Sequence, residues 1–330
     1  MPKGGKKTSL YKYLGIAFLC FICIYGILIW KYATNKYFIE DFSEERKGAI
    51  KKFNWWKEDE TETTPLFDIL FKKHAHKFDE IHIYSVFGEL KQHKKENTLR
   101  IQYSGESSFN DPELFHINII PGDHSHKNVV NIPYMLTPIL HRNVDLSIYT
   151  RKRRMQQPKT EFCLFAVSNS NNKDRNNFFH ELSKYKKVDS CGKIFNNLGY
   201  SCPGNDHLSP EYLDFISKYK FMICFENTSL KHYLTEKLFN AYSNGTIPIY
   251  WGCPNVDEFV NLSSILYLKP DYRENDVKKL VKEIIALDND DELYRKKYES
   301  IFFKDGRIPD MFNKDIIQTK IDTILSNSGL

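Results

Sequence analysis

From residue 219 the hydrophobic period of the chain switches twice. Lys220 to Phe225 is a short, mostly apolar run of strand length that ends abruptly in the polar Glu226, Asn227, Thr228 and Ser229. From Tyr233 the spacing turns helical, with Tyr233/Leu234, Leu238 and Ala241/Tyr242 on one face and Gly245 placed to stop it. Thr246 to Trp251 is a second apolar strand, closed by Gly252 and Pro254. Strand, helix and strand in about 32 residues is the size of a βαβ unit, which predicts parallel strands joined by a right-handed crossover. In such sheets ligands sit beyond the carboxyl ends of the strands, beside helix N-termini. Glu226, Asn227, Tyr233, Thr235, Glu236 and Lys237 occupy that position.

Elsewhere the same pattern repeats more weakly. Phe53 to Lys57 reads as a first strand, Thr64 to His76 has helical spacing, and Glu80 to Phe87 and Thr98 to Tyr103 read as strands. They predict a small α/β domain over residues 53–150. After a basic linker, 151–160, Glu161 to Ser168 opens a second α/β domain over 161–330, with helical spacing in Arg175 to Tyr185 and Asn275 to Leu287. At the start, Tyr13 to Trp30 carries no charge, near the minimum length for spanning a bilayer. Lys3, Lys6, Lys7 and Lys12 precede it and only Lys31 and Lys36 follow closely, so the N-terminus is expected to stay cytosolic. The expectation is a signal anchor: residues 1–12 a cytosolic tail, 13–30 in the bilayer, 31–52 a charged stem and the remainder outside the cytosol. A cleaved signal peptide is the competing reading, but bulky Trp30-Lys31-Tyr32 offers no small-residue cleavage site.

Composition narrows the classes. The 330 residues are 41% hydrophobic, enough for one or two ordinary cores. A net charge of +5 suits an anionic small-molecule partner and is too dispersed for nucleic acid. Of seven cysteines, Cys163 and Cys224 fall in expected strands as core residues, and no ligand spacing for zinc survives beyond the N-terminal segment. Cys191 and Cys202 flank a short loop and are compatible with a disulfide or with two free thiols. Asp288-Asn289-Asp290 superficially resembles a metal-binding DxD, but it follows an amphipathic helix and reads as a helix-to-helix turn with an N-cap. His74, His76, Asp123, His124 and His126 have metal-compatible spacing, though loop histidines of this kind are more often unliganded. The basic Arg151 to Arg154 run is expected to lie on the surface between the domains. Of three glycosylation sequons, at Asn227, Asn244 and Asn261, only Asn261 is compatible with function as an acceptor.

The polar cluster after the first strand suits a nucleotide sugar. A helix N-terminus and Lys237 can hold a diphosphate, Glu236 can accept both ribose hydroxyls, and Tyr233 offers a flat face and a hydroxyl. The alternative is that Thr235 only caps the helix while Glu236 and Lys237 form a solvated pair. The run from Phe225-Glu226-Asn227 through Tyr233, Thr235-Glu236-Lys237 and Ile247 to Pro254 resembles the donor-site signature of glycosyltransferase family 10 α1,3/α1,4-fucosyltransferases, most nearly the bacterial members. Asn54-Trp55-Trp56, Tyr103-Ser104-Gly105-Glu106, Phe162 to Asn169 and Leu198-Gly199-Tyr200 resemble the family in the same order.

That resemblance implies an α/β, GT-B-like fold: two Rossmann-like domains facing across a cleft, the acceptor on the N-terminal side and GDP-fucose held by the C-terminal one. It implies inverting transfer of fucose to a glycan containing N-acetylglucosamine, with Glu106 as base, where the bland alternative is a turn-capping glutamate. Arg175 matches the family's diphosphate arginine, with Lys237 as a second charge, Glu236 on the ribose, and Tyr233 and Asn227 near the sugar or phosphates. Glu226 is a second carboxylate in the cleft, with a structural role as its alternative. No obligatory cofactor is expected, a divalent cation (Mn or Mg) being at most stimulatory. The remaining expected partner is the lipid bilayer, with the Golgi-type lumen of a type II protein as the compartment in a eukaryotic host. A transferase for another nucleotide sugar and an inactive carbohydrate-binding relative are the rival readings. Residues 109–150 match the family only loosely, and the C-terminal CxxC and heptad repeats of some members are missing.

Overall fold

The computed structural model describes residues 49–55, 67, 71–90, 95–122, 124–137, 139, 144–155 and 158–329. Two five-stranded sheets, every pairing in them parallel, make up the architecture. The first takes its strands in chain order: β1 (Ala49–Phe53), β2 (Glu80–Tyr84), β3 (Thr98–Tyr103), β4 (Ile117–Ile120) and β5 (Val129–Asn131). β1 ends at Phe53, where the sequence predicts a strand to begin, so pairing starts inside the expected stem. The expected helix over Thr64–His76 falls largely outside the described residues. Within them Phe67 and Phe71 are buried, and Ala75–Lys77 forms a 3-10 turn.

The second sheet contains β6 (Glu161–Phe165), β7 (Val188–Ser190), β8 (Tyr219–Phe225), β9 (Ile247–Trp251) and β10 (Leu266–Tyr267), in the order β10-β9-β8-β6-β7. Helices α1 (Lys173–Ser183), α2 (Pro210–Ser217) and α3 (Glu236–Ser243) connect β6 to β7, β7 to β8 and β8 to β9. α4 (Glu274–Asn289), α5 (Asp291–Tyr298) and α6 (Lys314–Asn327) follow β10. β8 is the central strand and is buried at all but one position, which is why it reads as a continuous apolar run. The order reverses at β6: the chain leaves it on one side to β7 and returns on the other at β8. A crevice therefore opens beyond the carboxyl ends of β6 and β8, the usual ligand position in such sheets.

The halves are tied by packing. Tyr149, between the two sheets in sequence, sits with its ring 5.4 Å from Phe239 and 5.3 Å from Phe302, and its carbonyl accepts from Phe303 N at 2.9 Å. α6 crosses back to the first sheet, so the expected second domain does not keep its C-terminal helices to itself. Its Ile317, Ile321, Ile324 and Leu325 are buried, and Asp322 pairs with His74 at 2.5 Å and Lys73 at 2.7 Å. That accounts for His74 as a structural histidine.

Several ambiguities are settled here. Cys191 and Cys202 are joined in a disulfide. Asp290 caps α5, accepting from Glu292 N at 3.0 Å and Leu293 N at 2.9 Å, while Asp288 pairs with Lys186 and Lys220. Of the basic run, Arg151, Lys152 and Arg154 are exposed, whereas Arg153 is half-buried, its guanidinium between the rings of Tyr242 and Tyr298, 3.8 and 4.2 Å away. Asn261 donates its amide to Ile301 O at 3.1 Å. Among the described residues no helix is long and apolar enough to cross a membrane, and Tyr13–Trp30 lies outside them.

Candidate active site

The crevice is built from three strand ends. β8 delivers Glu226, which is fully buried. Its carboxylate accepts from Thr235 N at 2.9 Å and from the Thr235 hydroxyl at 2.7 Å, and Thr235 is the N-cap of α3. Its backbone carbonyl accepts from Asn172 Nδ2 at 2.9 Å, and Asn172 is the N-cap of α1. One residue thus anchors the starts of both helices that face the crevice, as the capping rules require of buried helix ends. At the end of β9, Gly252 has φ +146, and a Cβ there would stand 2.5 Å from Glu226 Cγ. A glycine is needed because the carboxylate side chain occupies that space.

α3 carries the charged pair into the crevice. Lys237 Nζ lies 3.3 Å from Glu236 Oε1 and 3.7 Å from Glu226 Oε2. Burial works to lower the Lys237 pKa, and the charges of Glu236 and Glu226 outweigh it, so the ammonium is held charged. For Glu226, burial is the largest influence and pushes the carboxyl up to about 7 against the pull of Lys237. Burial also acts to raise Glu236, but Lys237 and His207 bring it below its ordinary value. The competing reading of Glu236 and Lys237 as a solvated surface pair fails, since both side chains are largely buried.

Arg175, in the first turn of α1, is 1% exposed. Its Nη1 donates to Asn227 Oδ1 at 3.2 Å and Phe225 O at 3.4 Å, and its Nη2 to Asn169 O at 2.6 Å. Nε is buried with no hydrogen-bond partner. The arginine therefore forms the crevice floor beneath exposed Asn227, rather than standing open in the cleft.

The first sheet contributes Glu106. Beyond the end of β3, the Ser104 hydroxyl accepts from Glu106 N at 3.1 Å and donates to Ser108 O at 2.6 Å, folding the turn tightly. At Gly105 a Cβ would stand 2.4 Å from the Tyr134 ring, so only glycine admits that ring beside the turn. Glu106 Oε2 accepts from the Tyr233 hydroxyl at 3.4 Å, across the gap between the two sheets. Tyr233 precedes α3 rather than belonging to it, contrary to the helical spacing, and is almost fully buried. Next to it, His232 Nδ1 meets Gly122 O at 2.6 Å, and Leu234 O accepts from Met135 N at 3.2 Å. The segment 232–234 is thus a clasp between the halves.

The structure brings Glu106, Tyr233, Glu236, Lys237, Asn227 and Arg175 to one crevice. Sequence reasoning missed Asn172 and His232, and read Gly252 only as the close of a strand. Asn172, three residues before Arg175, had a legible N-cap signal, whereas His232 had none. Of the other histidines, His124 packs on Phe109 with ring centres 4.5 Å apart, and His126 pairs with Glu113 at 2.6 Å. Asp123 lies outside the described residues. Among those described, no three His, Cys, Asp or Glu side chains group as metal ligands.

The half of the crevice built by the second sheet falls within a known family's model. Residues 156–301 match the model of glycosyltransferase family 10 (fucosyltransferase), C-terminal part. The match contains Arg175, Glu226, Asn227, Tyr233, Glu236 and Lys237 and bears out the resemblance of the motifs within it, whereas the motifs at 54–56 and 103–106 lie outside it. Over 108 residues the chain is 40% identical to the alpha-(1,3)-fucosyltransferase FucT of Helicobacter pylori, covering 33% of this chain and 21% of that protein. Over 131 residues it is 34% identical to GDP-fucose protein O-fucosyltransferase 3 of Xenopus tropicalis, covering 38% and 27%. The alignments thus span only about a fifth to a quarter of those relatives. A solved alpha1,3-fucosyltransferase with GDP superposes with a TM-score of 0.65 at 22% identity, covering 86% of this chain and 92% of that one. The α/β fold of paired parallel sheets is therefore shared with that structure.

Proposed function

We propose that this chain is an inverting fucosyltransferase that moves L-fucose from GDP-fucose to a hydroxyl of N-acetylglucosamine in a lactosamine-like glycan. The linkage formed is α1,3, or α1,4 on a type 1 chain. One observation carries the reading: Glu106 of the first sheet stands 3.4 Å from Tyr233 at the edge of the charged donor-side cluster. A base and a phosphate-binding helix start thereby face one crevice.

In this mechanism Glu106 takes the proton of the acceptor hydroxyl as that oxygen attacks the anomeric carbon of fucose. The bond from carbon to the β-phosphate oxygen breaks with inversion, and its electron pair leaves on GDP. Lys237 and the α3 N-terminus receive the growing negative charge, with Arg175 beneath them. Glu236 holds the ribose hydroxyls, and Asn227 and Tyr233 line the sugar and phosphates. No step needs a metal, and manganese or magnesium is at most stimulatory. Residues 13–30 act as a signal anchor, giving a type II membrane protein with its catalytic part in a Golgi-type lumen. A second reading differs in the acceptor alone: the similarity to a protein O-fucosyltransferase supports a Ser or Thr hydroxyl of a polypeptide.

The test is transfer of radiolabelled fucose from GDP-fucose to type 1 and type 2 lactosamine and to a folded protein acceptor, with Glu106→Gln alongside. The expected result is transfer to one lactosamine type that falls about 100-fold to 10,000-fold in the variant while GDP-fucose binding persists. Transfer only to protein favours the second reading. A folded chain that does not bind GDP-fucose overturns both.

A further inference from the structure

The second sheet has two ends, and the crevice uses only one. At the amino ends of its strands, residues 158–160 lead into β6, 217–218 into β8 and 243–245 into β9. These loops, with residues 148 and 151–154 and Tyr298, line a groove of about 910 Å³. At about 3.3 Å per residue, the seven residues of β8 put this groove roughly 20 Å from the crevice.

The groove's charge is one-sided. Six cations line it, Arg151, Lys152, Arg153, Arg154, Lys159 and Lys218, and among the described residues no carboxylate does. At the rim, the exposed Asp214 reaches Lys218 only at 3.7 Å. Part of this charge has a structural explanation. α2, α3 and α5 all end at the groove, and their last carbonyls need donors. Lys159 Nζ donates to Ser217 O at 2.6 Å, and Arg153 donates to Tyr298 O at 2.9 Å and also to Tyr242 O. Three helix C-termini carry roughly half a negative charge each, about one and a half together, so most of the positive charge is left over.

The donors at the base are also left over. Arg153 Nη2 is buried with no hydrogen-bond partner. Tyr298 Oη and Lys159 Nζ lie 2.8 and 3.0 Å from the point that a side chain at Gly245 would fill, so the absent side chain leaves both heads uncovered. Burial, with help from Arg153, pushes Lys159 down to about 8. Donors converging from a guanidinium, an ammonium and a phenol suit a multiply charged tetrahedral anion better than a carboxylate.

We propose that this groove is a second anion site, which binds a phosphate-bearing ligand through Arg153, Lys159 and Tyr298 at its base and Arg151, Arg154 and Lys218 at its rim. Lying at the opposite pole of the sheet, it leaves the crevice free while occupied. The phosphate can belong to a lipid headgroup or to a soluble ester. It shares no residue with the donor-side cluster and does not depend on the reaction proposed above.

The probe is inorganic pyrophosphate, titrated calorimetrically into the full chain in detergent micelles. Three further proteins are compared: Lys159→Met with Lys218→Met, Lys218→Met alone, and Lys237→Met. We expect a saturable site that persists in Lys237→Met and weakens by at least about tenfold in the double variant. Lys218 is exposed, so its single variant folds whatever the double variant does, and losing one exposed charge contact is expected to weaken binding about threefold. A second arm uses phosphatidylcholine vesicles with and without one-fifth phosphatidylserine. Extra partition onto the anionic vesicles that the double variant lacks assigns the phosphate to lipid, and its absence beside pyrophosphate binding assigns it to a soluble ester. No saturable binding outside the Lys237 site, or equal affinity in the groove variants, overturns the proposal.

Discussion

Thr235 donates two hydrogen bonds to the Glu226 carboxylate, at 2.9 Å from its backbone N–H and 2.7 Å from its hydroxyl, in a fully buried pocket at the end of the central strand. The carboxylate thereby holds the start of α3, and with it Glu236 and Lys237. A buried charge in this position is expensive, and its cost is measurable.

Burial raises the Glu226 carboxyl from 4.5 to about 7. An acid whose folded pKa is raised binds its proton more tightly in the native state, so stability falls as pH climbs from about 4.5 to about 7. Glu226→Gln keeps the shape and removes the titration. Its melting temperature relative to the unaltered chain is therefore expected to rise across that window, by the equivalent of about 3 kcal/mol at most. A difference between the two that stays flat from pH 4.5 to 7.5 refutes this.

Gly252→Ala tests the same pocket sterically. The added methyl would meet Glu226 Cγ at 2.5 Å and Cβ at 2.7 Å, from a backbone with φ +146. Neither atom is the free end of a flexible chain, so strand or carboxylate must shift, at a cost of about 1–3 kcal/mol. Denaturant unfolding measures the loss. GDP binding is expected to weaken with it, because the start of α3 moves.

The Cys191–Cys202 disulfide closes a loop with a sequence separation of 11. That loop leans on the end of β6: Ile194 N donates to Val167 O at 3.0 Å, and a Cβ at Gly192 would stand 2.1 Å from the same oxygen. Replacing both cysteines with serine is expected to destabilise the chain by about 3 kcal/mol through loop entropy. Equal unfolding midpoints for the oxidised protein and the double variant would contradict it.

Much of the donor side was legible in the chain. The apolar run Lys220–Phe225, the helix that the spacing starts at Tyr233 and the structure starts after its Thr235 cap, and the strand closed by Gly252 each carry a local signal: period, spacing and glycine. Local geometry decides such elements, so the sequence determined them, together with Glu236 and Lys237 at a helix start. Asp290 as a cap was readable for the same reason. The tertiary structure alone decided what depends on distant chain: that Tyr233 meets Glu106, 127 residues away, that Arg175 lies beneath Asn227, and that α6 returns to His74. Contacts of this kind are set by how two sheets pack, and the free energy of that packing is spread over many side chains. No short stretch encodes it. The same holds for Arg153, whose basic neighbours suggest a surface linker until the rings of Tyr242 and Tyr298 close around it.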